Sequence, residues 1–309
     1  MINKKKKVSD DGDRNMEKNE DVVKIKELRR REIAYSLRLF FKNKLVAIGT
    51  IIVFFLLMLA ILGPLIVDPN EPYRVDYINA LKPPQSDHLF GTDDLGRDLF
   101  KLIILGARYD MAISIFVVAV SSIIGILVGS VSGYLGGKID EAFMRIIDVL
   151  FAFPGLILAM AVSMILGKSL FNLFLSLVLV WWTGYARLIR GQVLSEKEKL
   201  YIRAAKSLGL PGYRILFKHI LPNAIYPILI MATMDIGGVM LSAAGLSFIG
   251  LGPSPFEPEW GSLVNRGARY LFMAPWVMFF PGLTILLASL GFNLVGDGVR
   301  DILDPRLRR

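Results

Sequence analysis

Hydrophobic residues in this chain are concentrated in six long runs that are separated by polar or proline-rich stretches. The runs lie near residues 45–67, 111–135, 146–166, 170–188, 224–246 and 271–295. A helix needs about 20 apolar residues to cross a bilayer core of about 30 Å. The pattern therefore predicts an all-α integral membrane protein with six transmembrane helices. An even number of spans places both termini on the same side.

The charge distribution assigns a side to each loop. Residues 1–44 contain 14 Lys and Arg against 8 Asp and Glu, whereas residues 68–110 contain 5 against 8. Residues 187–222 are again basic, with 8 against 2. Basic residues favour the cytoplasmic side of a membrane. We therefore expect cytoplasmic termini and outer loops over 68–110 and 247–270. The net charge of +9 orients the protein and does not indicate nucleic-acid binding.

The N-terminal 44 residues divide into two parts. Residues 1–24 are rich in Lys, Asp and Asn, which is typical of a disordered cytoplasmic tail. Residues 25–44 carry Ile33, Leu37 and Phe40 at helical spacing. This pattern fits an interfacial helix on anionic lipid as well as a cytoplasmic extension of the first span. The remaining residues, 45–309, form the predicted six-helix domain.

The second apolar run contains a glycine at every fourth position: Gly125, Gly129, Gly133 and Gly137. At helical spacing these residues share one stripe, where small side chains allow two helix backbones to approach closely. Structural packing is the favoured interpretation. A sliding surface for a moving bundle is the alternative.

Two further residues are candidates for lining a translocation path. Pro154 should kink or interrupt the third span, and broken helices are tolerated in membranes where protein or a water-filled cavity surrounds them. Asp235 is an ionisable residue inside the fifth run, where a carboxylate needs a partner or a wet cavity. A simple kink at Pro154 and a bond from Asp235 to a neighbouring helix remain open.

No catalytic or metal-binding constellation is apparent, so we expect no catalytic residue and no metal site. There is no Cys, and His88 and His219 fall on opposite sides of the predicted membrane. The Gly167-Lys168-Ser169 sequence lacks the first glycine of a phosphate-binding loop. Any ATP used by this system must therefore be hydrolysed by another chain.

The cytoplasmic segment 200–222 is the most distinctive part of the chain. We expect a short helix over 201–208 that exposes Ala204 and Ala205, ended by Gly209 in the left-handed conformation. Pro211 should open a second helix, and Pro222 should restart the chain before the fifth span. The two short helices form either a knob for a groove in a soluble partner or an interfacial helix pair.

The segment resembles the coupling motif of the permease subunits of ABC importers. The matching residues are the Ala204-Ala205 pair, Gly209 and the Leu221-Pro222 pair. The general consensus has Glu where this chain has Arg203, and Ile where it has His219. The pattern is similar to the variant used in the peptide branch of the family, apart from Lys218 in place of Arg.

Other segments resemble dipeptide and oligopeptide permeases in the same order along the chain. Residues 90–98 are similar to their first outer segment, and residues 246–252 with 258–261 to their second outer loop. Residues 296–306 are similar to their C-terminus, and residues 31–44 to the basic helix that precedes the first span of the C-type subunit. The resemblance covers most of the chain from residue 31 onward.

This resemblance implies the type I ABC importer permease fold in the cell membrane of a bacterium or archaeon. It implies a homologous B-type permease subunit, two ATP-binding subunits that hold ATP and Mg, an external solute-binding protein and a peptide substrate. The implied coupling residues are Arg203, Ala204, Ala205, Gly209, Pro211, His219, Leu221 and Pro222. The alternatives are a permease of the same fold for nickel or another solute, and an ATP-independent channel or scaffold.

Overall fold

The computed structural model describes residues 40, 43–254 and 256–303. The predicted tail 1–24 and nearly all of the predicted helix 25–44 lie outside the described residues. The same holds for the end of the C-terminal motif, from residue 304 onward.

The described residues form helices joined by loops, which confirms the predicted all-α class. The helices are α1 Lys44–Ile66, α2 Leu99–Leu135, α3 Gly137–Phe151, α4 Gly155–Leu166, α5 Leu170–Lys197, α6 Leu200–Ser207, α7 Gly212–Arg214, α8 Leu221–Ala224, α9 Tyr226–Leu246, α10 Trp260–Ala268 and α11 Trp276–Leu303. Turns of π-helix at Ile215–Ile220 and Ser247–Leu251 and 3₁₀ turns at Glu71–Tyr73 and Tyr77–Asn79 lie between them. Within the described chain, five helices are long and apolar enough to cross a membrane, and the bent α3–α4 pair makes a sixth if it is counted as one span.

The bundle has two distinct ends. We call the end that holds residues 67–98 and 252–275 the loop end, and the end that holds residues 198–225 the segment end. Gly298, near the end of α11, lies against Val46, near the start of α1. Both ends of the described spans therefore meet at the segment end, as an even number of spans requires.

The second span begins earlier than its apolar run predicts. Helix α2 starts at Leu99, where the side chain of Asp98 accepts a hydrogen bond from the backbone N–H of Lys101 at 3.1 Å. Lys101, Arg108 and Asp110 interrupt the apolar residues of its first turns, which is why the predicted span begins only at residue 111. The helix itself begins twelve residues earlier.

The third predicted span is broken at Pro154. Helices α3 and α4 meet at an angle of 88° across the break. This confirms that Pro154 interrupts the helix within the predicted third span. Helix α4 has 12 residues and so rises only about 18 Å, less than a bilayer core.

Glycines bring α2 and α5 into close contact along one stripe. A side chain at Gly125 would overlap Tyr185, and one at Gly129 would overlap the backbone carbonyl of Ala186. Gly133 lies against Arg190 in the same way. These contacts are those of a small-residue interface between membrane helices.

Gly137 does not belong to this stripe. Helix α2 ends at Leu135, and Gly137 is the first residue of α3, with φ +57° and open space around its Cα. Its predicted role in packing was wrong because the chain turns there, so the spacing of four no longer keeps one face.

Candidate coupling surface

The segment end is formed by two helical pieces joined at Gly209. Helix α6 ends in a Schellman arrangement, in which the N–H of Gly209 donates to the carbonyl of Lys206 at 2.9 Å and the N–H of Leu210 to that of Ala205 at 3.3 Å. Gly209 has φ +75°, as its position in the sequence predicts. Because this conformation is unfavourable for other residues, Gly209 determines the angle between the two pieces.

The second piece is a continuous helical path from Gly212 to Ala224 with a wide turn inside it. Pro211 precedes α7 as its cap, and Ile215–Ile220 form π-helix before α8 begins. Pro222 lies in the first turn of α8, where a missing N–H costs little. The expectation that Pro222 restarts the chain was therefore wrong, because the helical path continues through it.

One face of the segment is packed onto the bundle. The buried side chains on this face are apolar: Ile202, Ala205, Ile215, Leu216 and Ile220. The predicted exposure of the alanine pair holds for Ala204 alone, since Ala205 points inward. Successive residues of a helix differ by about 100° in direction, so an adjacent pair does not share one exposed face.

Polar contacts fix the segment to the end of α5. The hydroxyl of Tyr201 donates to Glu196 at 2.8 Å and accepts from the side chain of Asn223 at 3.3 Å. Asn223 also donates to the backbone carbonyl of His219 at 2.7 Å, and Lys199 pairs with Glu196 at 2.5 Å. Burial and the Glu196 carboxylate raise the pKa of Tyr201, so its phenol keeps the donated proton. These contacts attach the segment to the end of α5.

The opposite face of the segment is open. Leu200 and Leu208 are each 82% exposed, and Tyr213 is also exposed. Arg203, Ala204 and Gly209 lie among them, and Arg203 pairs with the exposed Glu198 at 2.9 Å. We define the coupling surface as Leu200, Arg203, Ala204, Leu208, Gly209 and Tyr213. Exposed apolar groups on a well-anchored scaffold are typical of a protein interaction site.

The two candidates for a translocation path lie in different settings. Asp235 is half-buried in α9, and its carboxylate accepts a hydrogen bond from the hydroxyl of Tyr185 in α5 at 2.7 Å. Pro154 is exposed at the bend between α3 and α4. The hydrogen bond from Tyr185 gives the Asp235 carboxylate a partner on a neighbouring helix. This is one of the two alternatives that the sequence left open for Asp235. The part of either residue in transport stays a prediction.

The loop end contains a buried ion cluster that the sequence analysis missed. The guanidinium of Arg97 contacts Asp93 at 2.7 Å and donates to the backbone carbonyl of Pro72 at 2.8 Å. Arg266 of α10 contacts Asp94 at 2.6 Å and Asp93 at 3.5 Å. The only sequence signal is the alternation of acids and arginine over residues 93–97. The partner Arg266 lies too far along the chain to be paired by pattern.

A second buried group at the loop end consists of two carboxyls. Asp110 of α2 accepts the backbone N–H of Trp260 at 3.1 Å, and Glu259 accepts those of Gly261 and Ser262 at 3.0 and 2.7 Å. Both acids are fully buried. Burial raises the pKa of Glu259. Asp110 lies inside helix α2, although its position before the second apolar run predicts a loop.

The two histidines lie at opposite ends, as predicted. The ring of His88 contacts Asp98 at 2.9 Å at the loop end, whereas His219 lies at the segment end. Among the described residues, no three His, Asp or Glu side chains are grouped in a way that could hold a metal ion.

The bundle of apolar spans, with one anchored segment that exposes apolar side chains, defines a multi-pass membrane protein. The family described as "binding-protein-dependent transport system inner membrane component" matches residues 122–309. The N-terminal transmembrane domain of oligopeptide transport permease C matches residues 33–84. The chain therefore belongs to this family of membrane permease subunits, which are transport components and not themselves catalytic.

Curated relatives are similar over most of their length. The dipeptide transport system permease protein DppC of Alkalihalophilus pseudofirmus is 41% identical, over 86% of this chain and 88% of the relative. The oligopeptide transport system permease protein OppC of Bacillus subtilis is 41% identical, over 87% and 88%. The glutathione transport system permease protein GsiD of Pectobacterium atrosepticum is 40% identical, over 88% and 90%.

Proposed function

We propose that this chain is the C-type permease subunit of an ATP-driven peptide importer and that its coupling surface docks on an ATP-binding subunit. The observation that carries the proposal is the exposure of Leu200 and Leu208 on a segment that Tyr201 and Glu196 anchor to α5. A surface that is apolar, exposed and rigidly held favours a protein partner over lipid, because lipid contact needs no such anchoring.

The proposed orientation follows from charge. The segment end carries the basic residues of 187–222, and α1, which starts at this end, follows the basic stretch 1–44 in the sequence. Basic residues favour the cytoplasm, so the segment end faces the ATP-binding subunits. The loop end then faces the solute-binding protein outside the cell membrane. This chain supplies one half of the path, a homologous B-type permease subunit supplies the other, and ATP with Mg is bound by two partner subunits.

The proposed substrate class follows from the relatives, whose names specify dipeptides, oligopeptides and glutathione. All three are peptides. A permease of this family for nickel or another solute predicts a different cargo, which an uptake assay distinguishes.

Leu208→Asp tests the docking surface directly. Leu208 is exposed and makes no core contact, so the variant should insert and fold like the parent chain. Burying a leucine in an interface contributes about 1.5–3 kcal/mol. A charge there should therefore lower ATPase binding by about 10- to 100-fold, read by co-purification of the ATPase and by ATP-driven uptake of a labelled dipeptide.

Ile78→Asp is the matched control, because Ile78 is 90% exposed but lies at the loop end. This variant should retain the ATPase. Unchanged co-purification and uptake in Leu208→Asp would contradict docking through this surface. Uptake of nickel with no uptake of peptides by the unmodified importer would contradict the proposed cargo.

A further inference from the structure

A groove of about 490 Å³ opens at the loop end of the bundle. The turn between α4 and α5, the end of the fifth span and helix α10 form its walls. Its lining includes three cationic side chains, Lys168, Arg266 and Arg269, and one acidic side chain, Asp94. The groove has the size of a small-molecule site, and its lining combines apolar surface with a small number of charged groups.

The three cations are not equivalent. Arg266 is held by Asp94 at 2.6 Å and by Asp93 at 3.5 Å, so most of its charge is compensated. Lys168 and Arg269 are exposed, and within the described part of the chain neither has a carboxylate within ion-pair distance. The groove therefore presents two uncompensated positive charges beside a neutralised pair.

The walls of the groove are fixed by contacts within the chain. The side chain of Asn265 donates to the backbone carbonyl of Phe248, which joins α10 to the end of the fifth span. Asn172 of α5 donates to the carbonyl of Leu166 at 2.7 Å, which closes the turn that carries Lys168. The bases of both uncompensated cations therefore lie on anchored backbone, so binding an anion in the groove does not require a loop to become ordered.

We propose that this groove binds the C-terminal carboxylate of a peptide, through Lys168 and Arg269, as the peptide enters the permease. The inference rests on the proposed function. A terminal carboxylate is present on every peptide of any sequence, and charge-assisted bonds from an ammonium and a guanidinium are the strong contacts for such a group. The volume of the groove accommodates one terminal residue or a dipeptide.

Direct binding tests this site without the solute-binding protein. Saturation-transfer NMR on the full-length chain in nanodiscs would compare trialanine with its C-terminal amide. We expect the free acid to bind about tenfold more tightly than the amide. The difference is limited to this size because both cations are exposed and salt screens their charge. Lys168→Gln combined with Arg269→Gln should abolish this difference, whereas Lys168→Arg should preserve it.

Arg74→Gln is the control, because Arg74 is an exposed cation of the loop end that does not line the groove. It should leave the ratio of acid to amide affinity unchanged. Equal binding of acid and amide by the unmodified chain, or no binding of either, would overturn the proposal. An equal loss for both ligands in the double variant would also overturn it, and would point to an acidic protein surface as the partner. Failure of the proposed function is separate, since it appears as absent peptide uptake even when binding is intact.

Discussion

Both ends of the bundle hold an arginine–carboxylate pair, and the two pairs have opposite surroundings. At the loop end the Arg97–Asp93 pair spans 2.7 Å and is buried on both sides. At the segment end the Arg203–Glu198 pair spans 2.9 Å, with side chains 63% and 70% exposed. Although the two distances are nearly equal, the buried and the exposed pair therefore differ in the free energy at stake when each is broken. The charges at the loop end contribute to its own packing, whereas those at the segment end remain exposed, as the proposed docking surface requires.

Two glycines repeat the same contrast in the backbone. Gly96 at the loop end and Gly209 at the segment end both have φ +75°. A side chain at Gly96 would overlap the backbone carbonyl of Asp76, whereas open space surrounds Gly209. The loop end needs glycine for its conformation and for close packing, and the segment end needs it for conformation alone.

The largest effect that this contrast predicts is for Arg97→Ala. The change leaves Asp93 buried with only the more distant Arg266 as a counter-charge, and breaking a buried pair costs about 3–5 kcal/mol. Chemical unfolding in detergent should show this loss of stability. A loss below about 1 kcal/mol would mean that the loop end is not held by its ion cluster.

A smaller difference is expected between Gly96→Ala and Gly209→Ala. The left-handed conformation costs a residue with a side chain about 1–2 kcal/mol, and this cost applies to both variants. Gly96→Ala carries an additional cost from the overlap with Asp76, so its melting temperature should fall further. Equal melting temperatures for the two variants would contradict the close packing at Gly96.

The pH dependence of stability should follow the buried acid Glu259. Because burial raises its pKa above the ordinary value of 4.5, the folded chain holds the proton more tightly than the unfolded chain. Stability from this group is therefore full below pH 4.5 and falls as pH rises through the raised pKa. Melting curves of the parent chain and of Glu259→Gln should show a shallower fall in the variant. Parallel curves would contradict a buried, proton-holding Glu259.

The smallest effect is expected for Arg203→Ala. Its ion pair with Glu198 is exposed on both sides, and such pairs contribute about 0.2–1 kcal/mol. Stability should hardly change, while ATPase co-purification should weaken if Arg203 belongs to the coupling surface. A loss of stability as large as that of Arg97→Ala would remove the contrast between the two ends.

The spans and the bend of the coupling segment were predictable because local features determine them. Long apolar runs specify the membrane helices, Pro154 interrupts one of them, and Gly209 ends α6. The inward orientation of Ala205 was not predictable, because it depends on which side of the short helix meets the bundle. The spacing of the alanine pair carries no information about that side.

The buried charges at the loop end were hidden for a different reason. Arg266 reaches Asp94 across 172 positions of the chain, and Trp260 reaches Asp110 across 150. The sequence places Asp110 in a loop because Lys101, Arg108 and Asp110 itself interrupt the apolar residues in the first turns of α2. Only the folded arrangement shows that those turns are covered by α10.

Helix α5 connects the two proposed sites. Its 28 residues extend about 42 Å, from the turn that carries Lys168 to the anchor at Glu196. A tilt of about 5° around the midpoint of such a helix moves each end by ~2 Å. The glycine stripe of α2 lies against Tyr185, Ala186 and Arg190 of this helix, and close backbone contact there resists sliding. A displacement imposed at the segment end would therefore change the width of the groove at the loop end.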